Sequence, residues 1–339
     1  MNRLVLIDGN AVLHRAYHAL PPLTAPDGSL VNAVYGFTAM LIRLFHDLTP
    51  THIAVAFDRP KPTFRKKMFK EYQATRPKMD DELAGQIEKV HEVVRAFGIP
   101  IFEKDGFEAD DVIGTLSQLV TSDKGQATGK NNKKTTSPVI IDQVIIVTGD
   151  RDILQLVVDD RVLVYMPTKG LSEAKLYREI DVKERLGIAP SRVADYKGLA
   201  GDSSDNYPGV DGIGPKTAIS LLQTFDTVEK LYTAFQKHDK RLEKFSPSVL
   251  EKLKSGKESA KLSKDLATIR TNVELDGTLS NTPVTTLDTP EAEKILGDLH
   301  FHTLLKRLQG VVEKKELRIK NKKNEEEQEI KAGEQQQLF

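Results

Sequence analysis

The 339-residue sequence contains no cysteine and no tryptophan. The absence of cysteine excludes disulfide bonds and metal sites built from thiolates. No apolar run approaches the roughly 18 residues that a membrane-spanning helix needs, and no secretory signal is visible at the amino terminus. Lysine plus arginine and aspartate plus glutamate both number 49, so the net charge is zero. These features predict a cytoplasmic protein. The zero net charge leaves a nucleic-acid partner open, because acidic and basic residues cluster in different segments.

Acidic residues are concentrated in five short clusters, and most of the clusters follow an apolar run. The runs 4–7, 53–57 and 144–147 are short and rich in β-branched residues, which is typical of buried strands in a parallel sheet. Open parallel sheets bind their ligands beyond the carboxyl ends of the strands, so we expect the acids after these runs to converge. The clusters are Asp8, Asp58, Glu108/Asp110/Asp111, Asp150/Asp152 and Asp202/Asp205.

Closely packed carboxylates repel one another unless cations lie between them. Oxygen-rich sites of this kind suit Mg²⁺ or Mn²⁺, so the clusters predict a divalent-metal site. Each acid taken alone has a second interpretation, because aspartate after a strand is also a common helix N-cap, as in Thr148-Gly149-Asp150. If every acid served only as a helix cap or a loop residue, three features would be coincidences. These are the acids at the strand ends, the Asp110-Asp111 doublet and the acids in the segment 201–206.

The pattern of the chain changes near residue 176. Residues 3–165 alternate between strand-like and helix-like segments, which predicts an α/β fold with a mostly parallel sheet. The later pattern is helical, and residues 311–339 form a charged tail that is predicted to be disordered away from a partner. The predicted units are an α/β domain at 1–175, a helical domain at 176–280, a helical segment at 281–310 and the tail at 311–339.

The spacing of apolar residues, and the residues that start and stop helices, predict the individual helices and strands. The polar segment 122–138 is predicted to be a surface loop. In the helix predicted at 107–121, Glu108 and Asp111 are three residues apart and share a face. Strands are predicted at 3–7, 52–57, 99–102 and 144–147. Helices are predicted at 10–19, 31–47, 80–97, 107–121, 190–200, 216–224, 226–237, 246–254, 257–268 and 290–309.

Two further segments suggest contacts with DNA. In the segment 212–218, glycines allow close approach of the backbone to a ligand, helix-start amides favour an anion, and Lys216 adds a positive charge. This combination predicts a phosphate contact that does not depend on base sequence, although a plain tight turn shares the pattern. In the segment 61–72, basic residues alternate with Phe and Tyr, which suits a single strand; a solvated basic helix face has the same composition.

Taken in chain order, these segments resemble the 5′ nuclease domain of bacterial DNA polymerase I, within the wider flap endonuclease group. The resemblance covers roughly residues 3–275 and rests on the segments 6–10, 15–18, 56–58, 64–65, 108–113, 148–152, 201–206 and 208–218. It implies a PIN/resolvase-like α/β domain and a helical domain with a helix-hairpin-helix (H3TH) motif. It also implies a structure-specific phosphodiesterase that removes RNA primers and 5′ flaps from DNA in replication and repair.

The resemblance further implies roles for individual residues. Two Mg²⁺ or Mn²⁺ ions would activate water and stabilise the leaving oxygen, and a K⁺ ion would lie at the H3TH hairpin. The first ion would be held by Asp8, Asp58, Glu108, Asp110 and Asp111, and the second ion or its waters by Asp150, Asp152, Asp202 and Asp205. The DNA contacts would be Arg15, Phe64, Arg65, Tyr72 and Arg76, in or near an arch at about 61–80, with Gly212, Gly214, Lys216 and Thr217 of the hairpin.

The chain departs from the family pattern in several places. Gln73 stands where the arch motif has Lys, and the segment 122–138 is longer than expected. The sequence stops where the family's proofreading and polymerase domains would begin, which predicts a stand-alone nuclease. The pentapeptide 335–339, with Gln335, Leu338 and Phe339, resembles the peptide that binds the bacterial sliding clamp.

Two other functions fit parts of the sequence. A PIN-like ribonuclease acting on RNA would use the same kind of sheet, but it would not need the helical domain. A non-catalytic DNA-binding adaptor tethered to the clamp would be expected to have lost some of the acids, and all of them are present.

Overall fold

The structure, a computed structural model, describes residues 1–121, 141–169, 173–276, 287 and 289–310, together with two short strands inside the segment 122–140. The predicted tail, its clamp-binding peptide and most of the predicted loop at 122–138 lie outside the described residues. Within the described ranges, no helix combines the length and the apolar character needed to cross a membrane.

A six-stranded sheet in the order β3-β2-β1-β6-β7-β8 organises the first part of the chain. Its strands are parallel except for β8, which runs antiparallel to β7. The strands β4 and β5 form a separate antiparallel pair. The bounds are β1 (Arg3–Asp8), β2 (His52–Ala56), β3 (Ile101–Phe102), β4 (Gln126–Ala127), β5 (Thr135–Thr136), β6 (Gln143–Val147), β7 (Val162–Lys169) and β8 (Glu173–Tyr177).

The order of the strands reverses between β1 and β6. The chain adds β2 and β3 on one side of β1 and then crosses to add β6 and β7 on the other side. In open α/β sheets such a switch point opens a crevice beyond the carboxyl ends of the strands. Asp8 ends β1, and Thr148 follows β6 directly, so the topology places both residues at this crevice.

Helices cover both faces of the sheet and form the second part of the chain. Short 3₁₀ segments lie at Asp152–Leu156, Pro190–Arg192 and Lys240–Lys244. The helices that accompany the sheet are α1 (Gly9–Ala19), α2 (Asn32–Leu48), α3 (Phe64–Met68), α4 (Asp81–Ala84), α5 (Ile87–Ala96) and α6 (Ala109–Thr121). The later helices are α7 (Glu179–Leu186), α8 (Val193–Ala200), α9 (Pro215–Phe225), α10 (Val228–Gln236), α11 (Pro247–Ser255), α12 (Lys257–Ala267), α13 (Pro290–Asp298) and α14 (302–310).

The strands of the sheet are buried on both faces, as their apolar sequences predict. In β1, Val5 and Ile7 pack with α2 and α5, whereas Leu4 and Leu6 pack with α6 on the opposite face. Burial of each such side chain contributes about 1.5–3 kcal/mol relative to exposure. The two cores therefore hold the ends of β1, β2 and β6 in place at the crevice.

The helix predicted at 80–97 is divided into α4 and α5. The side chain of Gln86, at the division, is 1% exposed and is turned towards the start of α2. Its oxygen accepts a hydrogen bond from the backbone N–H of Ala33 (2.9 Å), and its amide donates to Asn32 (3.0 Å). Because the Gln86 side chain has to reach the start of α2, it cannot lie on the solvent face of a continuous helix. The predicted helix is therefore interrupted at this residue.

The helix predicted at 290–309 is also two helices, α13 and α14. They are separated at His300, which has a positive φ of 56°. Phe301 and Leu304 then enter the core that surrounds α2 and α5, and the ring of Phe301 lies 5.1 Å from that of Tyr35. The carboxyl-terminal described segment thus packs against the α/β domain.

Candidate metal centre and nucleic-acid interface

The first group of acids lies at the crevice between β1, β2 and the start of α6. Asp8 accepts hydrogen bonds from the backbone N–H of Ala11 (2.9 Å) and from the hydroxyl of Thr148 (2.7 Å). Asp58 accepts from the backbone N–H of Ala109 at 2.7 Å, which joins it to α6. Asp8 is therefore the N-cap of α1 and also a member of the acidic group, so the two interpretations of this residue are compatible.

Asp110 lies among the other acids of this group. Burial, followed by the charges of Asp150, Asp8, Glu108 and Asp58, raises the pKa of Asp110 well above its usual value. Burial also raises the pKa of Asp8 and that of Glu108 to about 7. Asp58 is exposed along its side chain at the mouth of the crevice, yet crowding by protein atoms raises its pKa as well. The folded chain compensates the charges of these carboxylates only in part, through the ion pair of Glu108 with Arg65 at 3.3 Å. A bound cation would relieve the remaining repulsion.

A second group consists of Asp152, Asp202 and Asp205. One carboxylate oxygen from each residue lies within 4.8 Å of the other two. Asp152 opens the 3₁₀ segment after β6, and the other two residues lie in the loop between α8 and α9. Three convergent carboxylate oxygens are the donor set that Mg²⁺ or Mn²⁺ takes in proteins, so these residues fit a divalent ion.

Two glycines close the loop that carries Asp202 and Asp205. Gly201 and Gly209 have φ values of 72° and 64°, and a Cβ atom on Gly209 would lie 2.2 Å from the backbone nitrogen of Gly201. The backbone N–H of Gly209 donates to the hydroxyl of Ser263 on α12 at 3.0 Å. Only glycine fits both the close approach and the positive φ, so this part of the motif positions the acids.

Lys197 is a site residue that the sequence analysis missed. Its ammonium group, on α8, hydrogen-bonds to both Asp152 and Asp202. Burial raises the pKa of Asp152 to about 7 in spite of this contact. Burial would also raise the pKa of Asp202, but hydrogen bonds from Lys197 and Ser204 outweigh it and lower that pKa. No motif marked Lys197, because a single lysine on a helix normally indicates a solvated face.

Asp111 and Arg65 occupy positions that differ from the predicted ones. Asp111 is fully buried, and its two oxygens accept hydrogen bonds from the guanidinium of Arg65 at 2.7 and 2.9 Å. Backbone N–H groups of Glu108 and Arg270 donate to the same carboxylate. Adjacent helix residues point about 100° apart, so Asp111 turns towards α12 while Asp110 faces the crevice. In this structure Asp111 therefore orients Arg65, and neither side chain is presented to an ion or a phosphate.

The predicted arch segment folds over the acids. Tyr72 is 3% exposed, and its hydroxyl lies 3.2 Å from Glu108 and 3.4 Å from Asp205. Arg76 forms an ion pair with Asp205, and the backbone N–H of Gln73 donates to the carbonyl of Asp205 at 2.8 Å. The segment therefore links the two acidic groups, and the ring of Tyr72 is not presented to a base in this conformation.

The other predicted contacts of the arch differ in their exposure. Phe64 is half-buried between the guanidinium groups of Arg65 (4.5 Å) and Arg270 (4.9 Å). Arg15, on α1, is half-buried. The side chain of Arg76 is 48% exposed despite its ion pair. Lys67 and Lys70, in the same segment of the chain, are exposed and were not among the predicted contacts.

The predicted hairpin presents backbone groups and a cation to solvent. Gly212 has a φ of 71°, and Gly214 is the N-cap of α9. Ile213 is buried and anchors the turn, whereas Lys216 is exposed and Thr217 is half-buried. The ammonium of Lys252 lies 3.4 Å from the carbonyl oxygen of Gly212, next to the backbone carbonyls at which a K⁺ ion was predicted. The first-turn amides of α9 have no partners within the helix, which makes this end suitable for a phosphate.

Comparisons with known proteins agree with this architecture. The family described as "5′-3′ exonuclease, N-terminal resolvase-like domain" matches residues 3–187, and "5′-3′ exonuclease, C-terminal SAM fold" matches residues 188–290. DNA polymerase I of Bacillus subtilis (strain 168) is 39% identical over 306 residues, which are 90% of this chain and 32% of that protein. DNA polymerase I of Pseudomonas aeruginosa is 40% identical over 274 residues, or 80% of this chain and 28% of that protein. The chain thus spans about a third of the length of the curated relatives it matches.

Solved structures share the fold at lower identity. T5 5′-exonuclease with bound zinc superposes with a TM-score of 0.61 and 17% identity, covering 92% of this chain and 99% of that chain. The catalytic core of Rad2 in complex with a DNA substrate gives a TM-score of 0.58 at 16% identity, covering 91% and 92% of the two chains. These similarities confirm the predicted α/β sheet domain followed by a helical domain. Because the two family descriptions together account for residues 3–290, the chain belongs to the 5′-3′ exonuclease family of nucleases.

Proposed function

We propose that this chain hydrolyses phosphodiester bonds at 5′ ends and flaps of DNA, including RNA primer–DNA junctions, with two divalent ions, Mg²⁺ or Mn²⁺. The observation that carries the proposal is the pair of acidic groups at one edge of the sheet. When bound, two such ions supply a nucleophile and stabilise the leaving oxygen. The structures of T5 5′-exonuclease with zinc and of Rad2 with DNA support the same assignment.

The proposed ligands of the first ion are the acids around Asp110, and Asp111 acts indirectly by holding Arg65. The proposed ligands of the second ion are those of the three-carboxylate group at Asp152. In the second group Lys197 and Arg76 already balance part of the negative charge. An ion at this position therefore has to compete with two side-chain cations. The first ion is proposed to bind Asp8, Asp58, Glu108 and Asp110, and the second to bind Asp152, Asp202 and Asp205. Asp150, expected from the sequence at the second ion, is near both groups, because its charge raises the pKa of Asp110 and that of Asp152.

The proposed path of the DNA follows the exposed cations. At the hairpin, Lys216 and the free amides of α9 would contact a phosphate of the duplex. At the arch, Lys67, Lys70 and Arg76 would contact the phosphates of the strand that is cut. Since Arg76 also pairs with Asp205, a phosphate that attracts its guanidinium would uncover one carboxylate of the second group.

The test is cleavage of a 5′-labelled flap beside matched single-stranded DNA and RNA, with Mg²⁺ and with EDTA. We expect rapid, Mg²⁺-dependent cleavage of the flap and its loss in an Asp110→Asn variant that still binds the substrate. Cleavage of single-stranded RNA with an intact flap would instead support a PIN-like ribonuclease. Binding of the flap without cleavage under any metal condition would support a non-catalytic adaptor.

We also propose that the carboxyl-terminal peptide binds a bacterial sliding clamp. Gln335, Leu338 and Phe339 lie outside the described residues, and the proposal rests on their spacing alone. Two apolar side chains anchored in a surface pocket, with a polar residue that sets the register, would tether the nuclease to clamp-loaded DNA. Titration of purified clamp should show binding of the intact chain and its loss in the Leu338→Ala/Phe339→Ala variant. Equal binding by both proteins would exclude this peptide as the contact.

A further inference from the structure

The hydroxyl of Tyr207 is an unpaired polar group in the interior. Tyr207 is 3% exposed, and among the residues that the structure describes its hydroxyl has no hydrogen-bond partner. A buried hydroxyl in this condition destabilises the folded state, because its loss of contact with water is not compensated by a hydrogen bond. Phenylalanine would fill the same space without that cost, so the oxygen itself requires an explanation.

The position of Tyr207 is set by the loop of the second acidic group. Its backbone N–H donates to the carbonyl of Asp202 at 3.1 Å, and its carbonyl accepts from the N–H of Asp202 at 2.9 Å. Its ring stacks on that of Tyr72, with centroids 6.4 Å apart and planes at 16°. The hydroxyl of Tyr72 reaches Asp205 at 3.4 Å, so the ring of Tyr207 packs beside a residue that contacts this group of carboxylates.

The electrostatic surroundings of the hydroxyl agree with this position. The carboxylates of Asp152, Asp202 and Asp205 are close enough to the phenol of Tyr207 to interact with it electrostatically. A phenol hydroxyl can both donate and accept a hydrogen bond. The three nearby carboxylates are already paired with cations, Asp152 and Asp202 with Lys197, and Asp205 with Arg76.

We infer that Tyr207 is a positioning residue for the second ion: its hydroxyl hydrogen-bonds to the hydration shell of the divalent cation held by Asp152, Asp202 and Asp205. The inference rests on the proposed function, because it requires an ion at that group. Water on a divalent cation is polarised and donates strongly, and the phenol oxygen offers a fixed acceptor inside the protein. The hydroxyl thereby favours one orientation of the hydrated ion beside the carboxylates.

The experiment compares wild-type protein with Tyr207→Phe, which removes one oxygen and retains the ring. Thermal unfolding is followed in EDTA and in Mn²⁺, and Mn²⁺ binding to the DNA-free protein is measured by calorimetry and by electron paramagnetic resonance. In EDTA we expect the variant to be at least as stable as wild type, because the unpaired hydroxyl is gone. In Mn²⁺ we expect a smaller gain in stability and about tenfold weaker binding at the second site, as for one lost hydrogen bond to a charged group.

Tyr232→Phe is the matched control. Tyr232 is also buried, but it lies in the core of the helical domain and its hydroxyl donates to the carbonyl of Leu253 at 3.0 Å. This variant should lose stability equally with and without Mn²⁺. In an Asp202→Asn background, where the second site is already weakened, Tyr207→Phe should change Mn²⁺ binding much less than in wild type.

The outcomes separate the inference from the proposed function. If Tyr207→Phe loses as much stability in EDTA as in Mn²⁺, like the control, the hydroxyl is structural and the inference is overturned. If wild type binds Mn²⁺ and cleaves the flap but Tyr207→Phe binds Mn²⁺ with unchanged affinity, the inference fails while the proposed function stands. If wild type neither binds Mn²⁺ nor is stabilised by it, the proposed metal centre fails first.

Discussion

Asp8→Asn should make the metal-free protein more stable while it removes cleavage. The side chain of Asp8 is 5% exposed, and burial raises its pKa from 3.8 to about 7. A carboxyl with a raised pKa in the folded state binds more protons when folded than when unfolded. Between pH 3.8 and about 7, folding stability therefore falls as the pH rises. Asparagine has nearly the same shape and carries no charge at any of these pH values.

The magnitude follows from the size of the shift. At about 1.4 kcal/mol for each pH unit, a rise from 3.8 to about 7 corresponds to roughly 4 kcal/mol above pH 7. The substitution also loses the hydrogen bond that Thr148 donates to the carboxylate, which costs about 1 kcal/mol. The amide oxygen of asparagine can still accept from the N–H of Ala11. We expect a net gain of about 2–3 kcal/mol at pH 7.5, and about 2 kcal/mol less at pH 5.5, where Asp8 is mostly protonated in the wild type.

Urea unfolding in EDTA at pH 5.5 and pH 7.5 measures this free energy directly. Asp195→Asn is the control, because Asp195 is a buried carboxylate that is already paired with a cation. It accepts hydrogen bonds from Lys264 (2.6 Å) and from the N–H of Val228 (2.8 Å). That substitution should destabilise the protein at both pH values. In Mg²⁺, Asp8→Asn should cleave a flap more slowly by orders of magnitude and still bind it. If Asp8→Asn is no more stable than wild type in EDTA at pH 7.5, or if its gain does not depend on pH, the electrostatic account of this crevice is wrong.

Three further substitutions each add or remove one positive charge at the proposed DNA and metal sites. Lys216→Ala should weaken flap binding and lower the slope of log affinity against log salt by about one, as for a single lost phosphate contact; an unchanged slope would place Lys216 away from the DNA. Gln73→Lys should raise cleavage at moderate salt more than at low salt, and equal rates at every salt concentration would mean that position 73 does not face the strand. Lys197→Met removes the ammonium that pairs with Asp152 and Asp202, so Mn²⁺ should bind the DNA-free protein more tightly; weaker binding would show that Lys197 does not compete with the ion.

The sequence predicted the sheet and the location of the acids because both depend on local patterns. Short apolar runs predicted β1, β2 and β6, and the parallel arrangement of these strands brings their carboxyl ends to one edge. The spacing of the glycines and acids in the segment 201–214 indicated a tight turn before a helix, and the structure has that turn. The predicted fold class and family are confirmed by the family matches.

The same local patterns gave a wrong prediction where a side chain from one helical segment caps another helix. Gln86 interrupts a helix of good periodicity because its amide caps α2, more than 50 residues earlier in the chain. Two neighbouring strands of the sheet, β7 and β8, were also missed, since their sequences lie near the change from the sheet to the helical region.

The tertiary structure alone decided which charged groups face the proposed ion sites. Asp110 and Asp111 are neighbours in the sequence, yet one faces the acids of the crevice and the other is enclosed with Arg65 against α12. Lys197 and Tyr207 are placed at the second group by the packing of α8 and of the Asp202 loop. A sequence specifies which residues are acidic, basic or aromatic and how often they recur. The direction in which each points depends on helix rotation and on partners distant along the chain, and those are set only when the two domains pack together.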